Sequence, residues 1–220
     1  MRKKRVLASP LYVFVLWCFR QFFRFFYSHR IYGLEHYVKG PAILAATHAS
    51  FYDPPLVAIS SPDPVHFLAR EGLFRSRLFG GFIRKLNTHP IKGNVGDLTV
   101  FKMVYELLKE GDKILLFPEG KRSSNGRLSP LRPGVALLAS RSEAVVLPVY
   151  VHGAFAVWPR HRLLPKPFGR TACVFGSPIY WKEFQEMPKK KGQEQLLVKL
   201  QASYEALESW FLAGAKGSPP

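Results

Sequence analysis

Residues 42–54 read Ala42-Ile43-Leu44-Ala45-Ala46-Thr47-His48-Ala49-Ser50-Phe51-Tyr52-Asp53-Pro54. The first five form a short apolar run of strand length. Asp53-Pro54 then has the form of a helix N-cap with proline at the first helical position. A strand that passes through a short loop into a helix is the repeating step of an α/β layer structure. The same reading puts His48 at the carboxyl edge of a sheet, where open α/β folds place their ligands.

Working outward, short apolar runs at 65–69, 113–117, 145–151 and 171–175 are the other strand candidates. Helical periodicity falls between them at 54–60, 73–86, 97–110 with Gly111 as a stop, and 133–140 with Pro133 leading. Strands separated by helices predict an α/β fold with a mixed, largely parallel sheet flanked by helices. Leu196, Leu197, Leu200, Tyr204, Leu207 and Phe211 recur at helical spacing and predict a closing amphipathic helix that ends near Gly214. The stretch 158–170 is rich in Pro, Arg and His without a period and reads as a surface loop facing a membrane. Lys189-Lys190-Lys191 reads as a solvated loop, and 216–220 as loose.

At 220 residues and 47% hydrophobic composition the chain supports one substantial core. The division expected is a membrane-interface helix at 1–30, one catalytic domain at 31–214 and a flexible tail at 215–220. Lys and Arg number 32 against 15 Asp and Glu, a net charge of +17 that favours anionic partners. Charge alone does not choose among nucleic acid, lipid head groups and phosphorylated substrates. No nucleic-acid-binding signature is present, and the aromatics concentrate in the first helix instead of interleaving along strands, so nucleic acid is not the expected partner. Cys18 and Cys173 lie far apart without metal-ligand spacing, which argues against a zinc site or a disulfide framework and fits a reducing setting.

The N-terminus reads Met1-Arg2-Lys3-Lys4-Arg5 and continues into an apolar run from Val6 to Phe19. That run is shorter than the ~20 residues a spanning helix needs. Ser9 is the N-cap candidate and Pro10 the first helical residue; Arg20, Gln21, Arg24 and Ser28 then align on one side. An amphipathic helix with aromatic bulk opposite a cationic stripe predicts seating in a membrane interface. No small-residue cleavage site follows the apolar run, so it is not read as a secretory signal.

For chemistry, Asp53 is placed to return onto one imidazole nitrogen of His48, leaving the other to accept a proton. Two readings stay open from these residues alone: a base with an orienting carboxylate, or a helix cap beside a loop histidine. Ser50 next to His48 raises a serine-nucleophile reading, but no Gly-x-Ser-x-Gly elbow accompanies it. The second segment, Phe117-Pro118-Glu119-Gly120-Lys121-Arg122-Ser123, follows a strand and combines a glycine turn with cationic and hydroxyl donors. Such a turn suits a phosphate monoester.

Together, Thr47 to Pro54, Phe67-Leu68-Ala69-Arg70-Glu71-Gly72-Leu73-Phe74, Phe117 to Ser123 and Val146-Leu147-Pro148-Val149 resemble the ordered blocks of the glycerolipid acyltransferase family, in particular the 1-acylglycerol-3-phosphate acyltransferases. The resemblance covers about residues 32–180 and rests on four blocks in register. It implies His48 as general base and Asp53 as its orienting carboxylate. It further implies that Glu119, Gly120 and Arg122, with Lys121 and Ser123 beside them, meet the acceptor's glycerol phosphate, and that Leu147-Pro148 shapes the acyl-donor side. Arg70 lies in the second of these blocks and joins the substrate-binding candidates. The chain departs from the family at Lys121, where threonine is usual, and at Gly93, where the block Leu86-Asn87-Thr88-His89-Pro90-Ile91-Lys92-Gly93 commonly ends in arginine. Lys92 is the neighbouring cation available for that role.

The implied reaction moves a fatty acyl group from a thioester, acyl-CoA or acyl carrier protein, to the sn-2 hydroxyl of lysophosphatidate, giving phosphatidate. No metal or redox cofactor is implied. Alternatives within the family are glycerol 3-phosphate or another lysophospholipid as acceptor. A non-catalytic membrane scaffold is disfavoured because both His48 and Asp53 are present. The implied location is the cytoplasmic face of the inner membrane.

Overall fold

The computed structural model describes residues 9–92 and 98–220. Helix α1 (Pro10–Tyr27) starts where expected: the Ser9 hydroxyl accepts from the Tyr12 N–H, and the helix ends as Ser28 turns left-handed at φ 41°. There follow β1 (Arg30–Tyr32), β2 (Ala42–Ala46), α2 (Asp53–Ser60), β3 (Val65–Arg70) and α3 (Arg77–Arg84). The chain continues through β4 (Thr88–Ile91), α4 (Leu98–Glu110), β5 (Lys113–Leu116), α5 (Gly134–Ser142) and β6 (Val145–His152). It closes with α6 (Ala154–Val157), β7 (Ala172–Phe175) and α7 (Lys189–Leu212). Short 3-10 turns occupy Leu34–His36, Glu71–Phe74 and Trp181–Phe184.

One seven-stranded sheet has the order β1-β7-β6-β2-β5-β3-β4. Every neighbouring pair is parallel except β6 with β7. The mixed, largely parallel α/β fold is therefore present. β2 is central and buried along its whole length. Its side chains alternate between two cores, as the two-residue period of a strand requires. Ile43 and Ala45 meet α4, α5 and α7 through residues such as Val104, Leu138 and Leu200. Leu44 and Ala46 meet α1 and α2 through Phe23, Tyr27 and Leu56. Helices on both faces explain why the strand sequence is a continuous apolar run. Each large side chain so buried contributes about 1.5–3 kcal/mol.

Several expectations need correction. The helix expected at 73–86 is split, because Ser76 caps a new start by accepting from the Phe79 N–H, while Glu71–Phe74 winds as a 3-10 turn. Gly80 lets that turn and α3 touch, since a Cβ there would lie 2.7 Å from the Phe74 carbonyl oxygen. β1 and β4 were not foreseen: β1 has only three residues, and β4 carries Pro90, which is tolerated because β4 is an edge strand. Lys189, Lys190 and Lys191 form the first turn of α7 and not a loop. The last residues are tied to the body instead of hanging loose. His36 Nε2 and the Pro219 carbonyl oxygen are 2.9 Å apart, and the Ser177 N–H donates to the Pro220 carbonyl at 3.1 Å. The start expected for α4 at Asp97 lies outside the described residues, as do Gly93 and residues 1–8.

α1 also differs from a simple aromatic-against-cationic division. Tyr12, Phe23 and Tyr27 are buried against the domain, whereas Phe14, Trp17 and Phe25 remain 62%, 58% and 78% exposed. Arg20 leaves the expected stripe to donate from Nε and Nη2 to the Ile59 carbonyl, at the negative end of α2. Among the described residues no helix is long and apolar enough to cross a membrane.

Candidate active site

The site is assembled on the loops that leave the carboxyl ends of β2 and β5. Thr47 prolongs the β2–β6 ladder, donating its N–H to the Val149 carbonyl and accepting from the Val151 N–H at its hydroxyl. The chain then folds over Asp53, the first residue of α2. Asp53 is 1% exposed, and its Oδ2 accepts from the Ala49 and Ser50 N–H groups at 2.7 Å each. The same oxygen lies 2.8 Å from His48 Nδ1. A carboxylate held by two amides accepts, so Nδ1 is the donor and Nε2 is the nitrogen left with a free lone pair. The imidazole also stacks on Phe117, with ring centroids 3.7 Å apart and planes 14° from parallel. Hydrogen bond and stacking together fix both the tautomer and the ring plane.

The Phe117–Ser123 segment crosses directly beneath this loop. Glu119 is buried, and its two carboxylate oxygens accept from the His48 N–H at 2.7 Å and the Ser129 N–H at 2.9 Å. Burial raises its pKa, against the lowering effect of those two backbone donors. The Ser123 N–H completes the crossing by donating to the His48 carbonyl at 2.7 Å. Glu119 and Ser123 thus grip the backbone of the catalytic candidate. Gly120 turns the chain at φ +72°, where a Cβ would come within 2.7 Å of the Arg132 side chain. Lys121 is exposed.

Arg122 is half-buried, its guanidinium 3.6 Å from the Phe51 ring centroid and its Nη1 buried without a hydrogen-bond partner among the described residues. Its pKa is lowered by burial, then by the positive charges of Arg160 and Arg70, with Asp53 opposing. Arg70 at the end of β3, Arg122 and Arg160 therefore act on one another electrostatically beside the His48–Asp53 pair. Arg160 was missed in the sequence because it lies in an irregular stretch. It is brought in by Ser50, whose hydroxyl donates to the Trp158 carbonyl at 2.8 Å and which bridges to Pro159. That contact also gives Ser50 a structural duty. Lys92 is placed differently: it follows the edge strand β4, is 82% exposed and lies 3.6 Å from Glu71. β4 is three strands from β2, a separation of about 14 Å. Leu147 and Pro148 lie in β6 beside Leu44 and Ala45, inside the sheet.

A family model described as Acyltransferase matches residues 28–152, more than half of the chain and all the blocks just described. The chain belongs to the acyltransferase family. This acyltransferase is 27% identical over 151 residues to the 1-acyl-sn-glycerol-3-phosphate acyltransferase of Bacillus subtilis (strain 168), covering 68% of this chain and 72% of that one. It is 28% identical over 168 residues to the protein of the same name from Streptococcus pneumoniae, covering 76% of this chain and 60% of that one. Its fold is like that of the 1-acyl-sn-glycerophosphate (LPA) acyltransferase PlsC from Thermotoga maritima. That match has a TM-score of 0.68 and 24% identity, over 90% of this chain and 83% of the other.

Proposed function

We propose that the enzyme transfers a fatty acyl group from an acyl thioester to the sn-2 hydroxyl of 1-acylglycerol-3-phosphate, yielding phosphatidate. The observation that carries this reading is the pairing of an oriented imidazole, with Nε2 free, and an arginine cluster headed by an unpartnered buried Nη1. His48 Nε2 takes the hydroxyl proton as the oxygen attacks the thioester carbonyl, since an unassisted alcohol is a poor nucleophile near neutral pH. The new C–O bond forms, the C–S bond breaks, and the departing thiolate receives the proton from His48. Arg122, with Arg70 and Arg160, binds the acceptor phosphate and holds the hydroxyl near the base. Glu119 acts in this scheme through the His48 backbone and not through the glycerol. Lys92 is left to Glu71. The relatives carry the name 1-acyl-sn-glycerol-3-phosphate acyltransferase, which supports this acceptor.

Acceptor and product both reside in a bilayer, and the uncovered row Phe14, Trp17 and Phe25 of α1 gives the enzyme an apolar face to seat there. Four basic residues precede it at positions 2–5, suited to the anionic cytoplasmic leaflet of the inner membrane. The donor is acyl-CoA or acyl carrier protein. The decisive assay offers one labelled acyl-CoA to lysophosphatidate, glycerol 3-phosphate and lysophosphatidylcholine in parallel. Preference for lysophosphatidate is expected; turnover of lysophosphatidylcholine alone would overturn the assignment of the arginines to a terminal phosphate.

A further inference from the structure

We propose that α3 is a second seat on an anionic lipid surface, separate from α1 and beside the mouth of the active site. The inference deepens the membrane reading above and rests on it. Leu78, Phe79 and Phe82 project from one side of α3 at 90%, 50% and 39% exposure, and Leu73 precedes them at 51%. None of the four joins either hydrophobic core cluster. Residues three and four apart share a helix face, so Leu78, Phe79 and Phe82 form one apolar row. Exposing such a row to water costs what burying it in acyl chains would return.

Charge identifies the occupant. Between positions 70 and 92 stand Arg70, Arg75, Arg77, Arg84, Lys85 and Lys92, against the single carboxylate Glu71. An apolar row inside a cationic frame matches head groups of anionic lipid with acyl chains below them. A second copy of this chain would bring another +17 charge to the same face and be repelled. Position supports the same occupant. α3 leaves the carboxyl end of β3, the edge of the sheet that also carries His48, a few residues after Arg70, which acts electrostatically on Arg122. The links β2–α2–β3 and β3–α3–β4 step the same way along the sheet, so right-handed crossovers put α3 on the face of α2, against which α1 packs. Two apolar contacts flanking one site hold its arginines at head-group depth, where the acceptor phosphate lies.

The test uses the full chain and flotation with vesicles of phosphatidylcholine alone or mixed with phosphatidylglycerol. Three variants are compared with the parent: Leu78→Ser/Phe79→Ser/Phe82→Ser in α3, Arg75→Gln/Arg77→Gln/Lys85→Gln around it, and Phe14→Ser/Trp17→Ser/Phe25→Ser in α1. The apolar α3 variant is expected to lose about 10- to 100-fold in partition onto mixed vesicles. Turnover of a short-chain, water-dispersed acceptor should stay within about twofold of the parent, because no residue changed touches the catalytic loop. The charge variant is expected to lose affinity for mixed vesicles and keep its affinity for phosphatidylcholine. If the triple α3 variant loses turnover of the dispersed acceptor, Leu78→Ser at the most exposed position replaces it, with a several-fold drop in partition expected. Parent-like partition of the α3 variants, alongside loss in the α1 variant, overturns this inference alone. A parent enzyme that ignores both vesicle types overturns the membrane reading itself. Loss of self-association with unchanged vesicle binding would make the face an interface between copies and also overturn the proposal.

Discussion

His48 with Asp53 and His66 with Asp112 are both histidine–carboxylate neighbours at strand ends, on opposite edges of one sheet. In the first, the carboxylate is held by two backbone amides, sits 2.8 Å from Nδ1 and leaves Nε2 free. In the second, Nε2 faces Asp112 Oδ2 at 3.6 Å, neither atom having a hydrogen-bond partner among the described residues, and Nδ1 lies 2.8 Å from His89 Nε2. Burial lowers the pKa of His66 and His89 and raises that of Asp112. His66 is the second residue of β3 and Asp112 precedes β5, at the amino edge of the sheet whose carboxyl edge carries His48. Proximity of imidazole to carboxylate is therefore common to both places. What distinguishes His48 is a carboxylate fixed by two amides at hydrogen-bond distance, a second ring nitrogen that faces no carboxylate, and Arg122 nearby.

The most forceful way to break this contrast is to remove each histidine. His48→Ala is expected to lower kcat by about 10³-fold or more, measured with saturating lysophosphatidate, and His66→Gln to leave it within about threefold. Equal losses would erase the distinction.

Acid titration sharpens it from the side of stability, using a third histidine. His29 joins α1 to the domain through Thr171 and Ser60, each 2.9 Å from a ring nitrogen. Burial, and then the Arg20 charge, lowers its pKa to about 4. A histidine with a lowered folded pKa binds fewer protons folded than unfolded, so its stabilising contribution is present above about 6.5 and is lost as pH falls towards 4. The loss is about 3 kcal/mol across that window, on the order of the shift times 1.4 kcal/mol per unit. His66 and His89 add to it in the same direction. Urea unfolding as a function of pH should show this slope, and His29→Gln should flatten it while kcat at neutral pH persists.

Arg122→Ala tests the cationic half of the comparison. Loss of a charge-assisted contact to phosphate is expected to raise the acceptor KM about 10- to 100-fold with a smaller change in kcat. A pure kcat effect would instead place Arg122 at the reacting carbonyl. The smallest effect is expected at Lys92→Gln, which breaks an exposed pair with Glu71 and should change acceptor KM by less than about threefold.

The strand–loop–helix step at 42–54 was legible because its parts are neighbours in sequence. An apolar run, a histidine, and an Asp-Pro pair five residues later settle their geometry locally, although Asp53 is the first residue of α2 and not its cap: its carboxylate turns back onto the loop amides instead of the helix. The same holds for Ser9-Pro10 at the start of α1, where the cap bond forms as the sequence predicted. β1 and β4 were not legible, since three residues carry no period and Pro90 reads as a breaker until the strand is known to lie at an edge. Nor did the cationic triplet at 189–191 signal a helix; its helical state depends on α7 packing beyond it.

By itself, then, the sequence determined the α/β class, the pairing of His48 with Asp53 and the family through blocks in order. Only the tertiary structure decided that Glu119 grips the His48 backbone, that Arg160 and Arg70 both act on Arg122, and that Lys92 faces Glu71. Bonds within a single loop are fixed by local backbone geometry. Partners separated by tens of residues meet only after the strand order has chosen which loops share an edge.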